Sequence, residues 1–191
     1  MTVSAASSLR ERIVVTATQL TVASGWSGVT MARLADAVGV SRQTIYNEVG
    51  DKSGLAEAMI LGELARFLDS VNTAFDREPT DLVAAIRRAV RTVLEMSKGN
   101  DLLKAVVSAS HGADTELLPL LTTHSDALVE TAKAVVRDRV GAYGVDLTST
   151  QLAGAIDIIV RVVLSHVMQP SGTPEETSES LAFFAKRVLG L

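Results

Sequence analysis

The chain has 191 residues, 47% hydrophobic and 21% charged, which is material for the packed core of one large domain or two small ones and leaves little room for extended disorder. It contains no cysteine, which excludes disulfide frameworks, thiolate zinc sites, iron–sulfur clusters and cysteine nucleophiles. A formal net charge of −4 excludes a uniformly basic nucleic-acid coat.

Four prolines, 4% aromatic residues and an abundance of Ala, Leu and Val favour long helices over a turn-rich sheet protein. Ser7 or Ser8 is placed to cap a first helix with Leu9, Ile13, Ala17 and Leu20 on one stripe, stopped by Gly25. Thr30 is the N-cap of a short helix over 31–38 whose inward face is Leu34, Ala35 and Val38, and Gly39 ends it in a tight turn. Ser41 caps a third helix from Arg42 to about Glu48, with Ile45 and Val49 inward, and Gly50-Asp51 breaks the chain. A longer helix is predicted from Lys52 to about Phe75.

Pro79-Thr80-Asp81 opens a helix to Ser97 with Leu82, Ile86, Val90, Val93 and Leu94 at helical spacing. A turn at 98–101 leads to a shorter helix over 101–109, then to one over 115–143 that bends near Pro119 or at Thr122-Thr123 and ends at Gly144. The last two helices are predicted over 148–168 and 174–189. The expectation is an all-α protein of about nine helices.

A mean hydropathy of +0.27 raises the question of membrane segments. The most apolar stretch, Leu152 to Met168, is interrupted by Asp157, Arg161 and His166, short of the about 18 uninterrupted apolar residues a spanning helix would want. Arg10, Glu11 and Arg12 precede a mixed segment with no apolar leader, so the expected location is the cytoplasm, with no membrane partner. The surplus apolar surface must then be buried in a core, a pocket or a partner.

Residues 30–46, TMARLADAVGVSRQTIY, carry the functional signal. Two short capped helices around a glycine turn have the proportions of a helix-turn-helix, in which the second helix crosses the first and projects from the surface. Its outer side offers Arg42, Gln43, Thr44, Tyr46 and Asn47, hydrogen-bonding side chains that suit base edges and phosphates in a major groove. A bare helix–glycine–helix pattern is common in ordinary helical domains; the residue string is what makes it specific.

Residues 9–55, above all GWSGVTMARLADAVGVSRQTIYNEVGDKSGL, resemble the DNA-binding domain of TetR/AcrR-type transcriptional regulators. The shared features are Trp26 after its glycine, Thr30 opening the second helix, Leu34-Ala35 near its middle, Gly39-Val40-Ser41 in the turn, Thr44-Ile45-Tyr46 and Lys52. The resemblance implies that Arg42, Gln43 and Tyr46 touch bases or the adjacent backbone. It places Thr30, Thr44, Tyr46 and Lys52 at phosphates, beside the cap Ser41 and the outer Asn47. Two positions depart from the family pattern: Glu48 puts a carboxylate near the expected phosphates, and Val49 is a smaller core plug than the Phe often found there.

Charge is segregated in the same sense. Residues 1–52 hold five basic groups (Arg10, Arg12, Arg33, Arg42, Lys52) against four acidic ones, whereas the remainder is acidic in balance. The expected division is a DNA-binding domain over 1–51 and a helical ligand-binding and dimerisation domain over 52–191. The resemblance implies a ligand-responsive regulator, a repressor, that binds a pseudo-palindromic double-stranded operator as a homodimer and is released by an effector, for which few aromatics and many aliphatics favour a small lipophilic molecule.

Candidate pocket residues are Met59, Phe67, Leu94, Leu103, Val107, Leu121, Leu128 and Ile159, with His124 and Arg161 as polar positions; so aliphatic a set suits a lipophilic guest. Candidate dimer residues are Leu152, Ile156 and Val163 on one late helix and Leu181 and Phe184 on the next. Asp157 and Arg161 stand four apart on an apolar helix: either a surface pair or a pair covered by a partner or ligand. His111, His124 and His166 have no ligand-spaced partners, and no catalytic motif is present, so neither a metal, a cofactor nor an enzyme is expected. The competing reading is a helical interaction module that does not bind DNA.

Overall fold

The structure, a computed structural model, describes residues 8–104 and 125–190. Eight of its helices are α1 (Leu9–Ser24), α2 (Met31–Val38), α3 (Arg42–Val49), α4 (Lys52–Asp76), α5 (Leu82–Lys98), α6 (Ser125–Gly141), α7 (Ser149–Met168) and α8 (Pro174–Val188). Residues 101–104 are helical too, which makes nine helical segments and no strand among the described residues. The all-α expectation holds.

Local chemistry explains the boundaries. Ser8 caps α1 in a reciprocal box with Glu11, Thr148 does so for α7 with Gln151, and Thr173 for α8 with Glu176; each pairs a hydroxyl with the third amide and the third side chain with the cap amide. Helix α5 begins one residue after Asp81, whose carboxylate accepts from the Ala84 amide, so the Pro79-Thr80 stretch lies outside it. Helix α6 stops at Gly141, short of the predicted Gly144, because Tyr143 turns back and donates its hydroxyl to the Glu78 carbonyl at 2.8 Å. Burial holds the Tyr143 phenol above its ordinary pKa, so it stays a donor. The predicted bend at 119–123 and most of the predicted 101–109 helix lie outside the described residues.

The chain divides into two compact units, with residues 1–63 and 101–123 in the first and 64–100 and 124–191 in the second. In the first, Ile13 and Ala17 of α1, Trp26, Val29, Leu34, Ala35, Val38, Ile45 and Val49 close one core with Leu55, Ala56 and Met59 of α4 and with Leu102. In the second, α5 and α8 pack together across small residues (Ala85, Ala89, Ala182, Ala185 and the fully buried Ser178). Arg87 with Glu179 at 3.1 Å, and Arg91 with Glu175, flank that contact. Val71, Ala74 and Phe75 of α4 complete this core, and Val129 of α6 packs with Ile156 and Val160 of α7 in an adjoining cluster.

Helix α7 is unusual. It is long and apolar enough to cross a membrane by length and composition alone, with a mean hydropathy of 1.5 over a window only 11% buried, so the polar interruptions do not remove it from that class. Asp157 sits between Lys133 of α6 at 3.0 Å and Arg161 at 2.9 Å. The hydrogen bond from Lys133, then that from Arg161, holds the Asp157 carboxyl below its ordinary pKa.

Candidate nucleic-acid interface

Three backbone requirements shape residues 30–50. Thr30 is extended, and its hydroxyl accepts from the Arg33 amide at 3.2 Å, which starts α2. Gly39 then takes the left-handed conformation, φ 79° and ψ 38°, and its amide closes α2 on the Ala35 carbonyl; a β-carbon here would meet no neighbour, so glycine is required by the backbone alone. Ser41 restarts the chain as α3 by accepting from the Thr44 amide at 3.1 Å, and its hydroxyl also meets that of Thr44 at 2.8 Å. The turn is tight because each of these residues satisfies a helix end.

Periodicity then decides what α3 presents. Ile45 and Val49, four apart, are buried against Leu34, Ala35 and Val38, and burying an aliphatic side chain of this size contributes about 1.5–3 kcal/mol. With these residues anchored, Arg42, Gln43, Tyr46 and Asn47 face outward; Tyr46 is 47% exposed, high for an aromatic side chain in a helix that packs this well on its other side. Gln43 donates to Asn47 at 2.9 Å along the helix, which holds the two amides as a pair. The six predicted contact residues from Ser41 to Asn47 therefore share one short helix and its cap, with Thr44 half-buried beneath the cap.

The two outlying members are placed differently. Thr30 is exposed but uses its oxygen as a cap. Lys52 is half-buried at the start of α4, with Nζ 5.0 Å from the centre of the buried Trp26 ring, a cation–π contact that ties two of the resemblance's marker residues together.

Residues 13–59 match the bacterial regulatory proteins of the tetR family, and residues 81–187, more than half the chain, match the C-terminal domain of the bacterial tetracycline repressor. The chain belongs to the TetR family. Across 174 residues it is 29% identical to the HTH-type transcriptional regulator AlkX of Mycobacterium tuberculosis, covering 91% of this chain and 82% of that one. It is similar in structure to the TetR family repressor AlkX of a Dietzia strain, implicated in biodegradation of n-alkanes, with a TM-score of 0.76, 27% identity and coverage of 94% and 96%. GusR of Salmonella enterica shares the fold at a TM-score of 0.62 and 19% identity, covering 96% of each chain. As a TetR-family member the chain is a transcriptional regulator, with an N-terminal helix-turn-helix DNA-binding domain and a C-terminal domain of the tetracycline-repressor kind. Helix α7 lies inside the second match.

The residues expected to line a pocket in this TetR-family chain divide between the two units. Met59 is in the core of the first unit; Phe67, Leu94 and Ile159 belong to that of the second. Leu103 and Leu128 are half-buried, while Arg161 is mostly exposed and bound to Asp157. Val107, Leu121 and His124 lie outside the described residues. A small cleft open to solvent is lined by Leu94, Ser97, Lys98, His166, Pro170 and Thr177 among others, so among the described residues Leu94 alone of the expected set borders it.

Of the expected dimer residues, Ile156 and Leu181 are buried in the chain's own core because Val129 and α5 already cover them, and Leu152 and Val163 are half-buried. Phe184 is exposed, as are Ile158, Leu164, Met168 and Phe183, apolar side chains that the periodicity of α7 and α8 left undistinguished from inward ones. Sequence reasoning also missed the use made of Arg10, Arg12 and Arg33, counted only as charges. Arg33 donates to the Gly28 carbonyl at 2.6 Å and to Ser24 at 3.2 Å, stitching the connection between α1 and α2. The signal for Arg10 and Arg12 was their position in the first turn of a helix, where the dipole disfavours cations.

Proposed function

We propose that the protein represses transcription by binding a pseudo-palindromic operator as a homodimer, with α3 of each subunit in the major groove, and that a small lipophilic effector releases it. One observation carries the reading: α3 is anchored by Ile45 and Val49 and turns Arg42, Gln43, Tyr46 and Asn47 outward with no apolar side chain among them except the amphipathic tyrosine. Arg42 and Gln43 read base edges, Tyr46 and Asn47 reach bases or the adjacent backbone, and Thr30, Ser41, Thr44 and Lys52 hold phosphates. Operator reading belongs to residues 1–51 and effector binding and pairing to 52–191.

Homodimerisation is supported by the uncovered face of α7 and α8, where Ile158, Leu164, Met168, Phe183 and Phe184 are exposed together with a helix apolar almost all round. Pairing through that face makes a four-helix interface and removes the surplus apolar area from water. The aliphatic interior and the likeness to a Dietzia repressor implicated in biodegradation of n-alkanes support an effector with an alkyl chain. Helix α4 contributes residues to both units, and an effector that favours one of its poses lowers operator affinity only by the difference in its own affinity for the two states.

The test is selection of a duplex by the wild-type protein from a random pool, followed by titration of that duplex with Arg42→Ala and Tyr46→Ala. Each variant is expected to weaken binding by about tenfold or more, since one good base contact is worth about 1–3 kcal/mol. Failure of the wild type to enrich any sequence at any salt concentration would leave the interaction-module reading in its place.

A further inference from the structure

Helices α2 and α3 carry no basic residue in their last turns, so the carbonyls at those ends, at the negative pole of each helix dipole, need donors from elsewhere. The Gly39 and Val40 amides both go to Ala35, and the Gly50 amide goes to Tyr46. Those bonds leave other end carbonyls, Val38 and Glu48 among them, to be met. Helix α1 meets both: the Arg12 guanidinium donates to the Val38 carbonyl at 3.0 Å across 26 residues of sequence, and the Arg10 guanidinium donates to the Glu48 carbonyl across 38. One turn of α1 thus grips the C-terminal ends of both helices of the reading motif, in a position where the dipole of α1 itself disfavours two cations.

We propose that Arg10 and Arg12 are positioning residues for DNA recognition, clamps that set the pose of α3 rather than phosphate ligands. The proposal rests on the operator reading above. Their charge would otherwise be counted toward the backbone of DNA, and the two roles separate in measurement. A lost phosphate contact weakens all duplexes alike and lowers the slope of log affinity against log salt by about one. A lost clamp misaims α3, so the selected duplex suffers and an unrelated one does not.

Arg10→Gln and Arg12→Gln are to be compared with wild type on the selected duplex and on an unrelated duplex of equal length across a potassium chloride series. Amide hydrogen exchange of residues 42–50 in the DNA-free protein is read alongside. Each variant is expected to lose about tenfold in preference for the selected duplex, with the salt slope unchanged, since a reading element must be held to about 0.5 Å to work. Exchange is expected to quicken in α3 and to stay as it was in α5. A slope lowered by about one with preference intact would overturn the proposal, as would unaltered preference and exchange in both variants. Arg10 is exposed, so Arg10→Gln keeps the test open should Arg12→Gln fail to fold. If the wild type selects no duplex, the operator reading fails, and unaltered α3 exchange still decides against the clamp.

Discussion

The two units of this chain solve opposite problems with similar helices. In the first, short helices bury only a few side chains each, so polar residues near the helix ends are committed to the backbone. Thr30 and Ser41 cap, Gly39 turns, and Arg12 and Arg10 close carbonyls. In the second, α5, α7 and α8 are 15 to 20 residues long and are held by aliphatic packing with an ionic edge. A small motif is constrained residue by residue, whereas a long amphipathic helix is constrained only in its period. The first arrangement leaves a polar face outward; the second leaves an apolar one.

The largest effect is expected where the short helices share one side chain. Leu34→Ala should cost about 2–5 kcal/mol, read by denaturant unfolding, because Leu34 is fully buried and its neighbours belong to three helices that cannot collapse onto the cavity without losing the turn. The second unit should respond instead to added volume. Ala182→Leu is predicted to cost about 1–3 kcal/mol by forcing α8 off α5, where Ala182 is 1% exposed. Were the two costs reversed, the contrast between a motif set by few anchors and a close helix pair would be wrong.

The smallest effect is electrostatic. Lys133 and Arg161 hold the Asp157 carboxyl below its ordinary pKa, so its contribution to stability is complete above the unfolded-state value and is lost as pH falls through the lower folded-state value. Thermal stability should therefore decline on acidification below about pH 4, and Asp157→Asn should make that decline shallower. Glu176, held low first by the Thr173 amide and then by its hydroxyl, should leave a residual decline in the variant.

What could be read from sequence follows the same contrast. The bounds of α2 and α3, their caps and their buried faces were all legible, because Thr30, Gly39 and Ser41 at that spacing fit little besides two capped helices around a left-handed turn. The ends of α1 and the start of α4 followed from Ser8, Gly25 and Lys52 in the same way. In the second unit the helices were legible but their outward faces were not. On a helix as apolar as α7, period alone does not separate Ile156, buried against α6, from Ile158, which is exposed. The Arg12 bond to Val38 spans 26 positions and leaves no local mark, so an arginine that braces a helix end read as one more surface charge.

The central claim is that the outer face of α3 enters the major groove in two copies. Methylation interference on the selected duplex tests it most directly, since dimethyl sulfate modifies guanine N7 in the major groove and adenine N3 in the minor groove. The account predicts interference at guanines in two clusters about 10 base pairs apart or a multiple of that. Interference confined to adenine N3, or a single unpaired cluster, would contradict it.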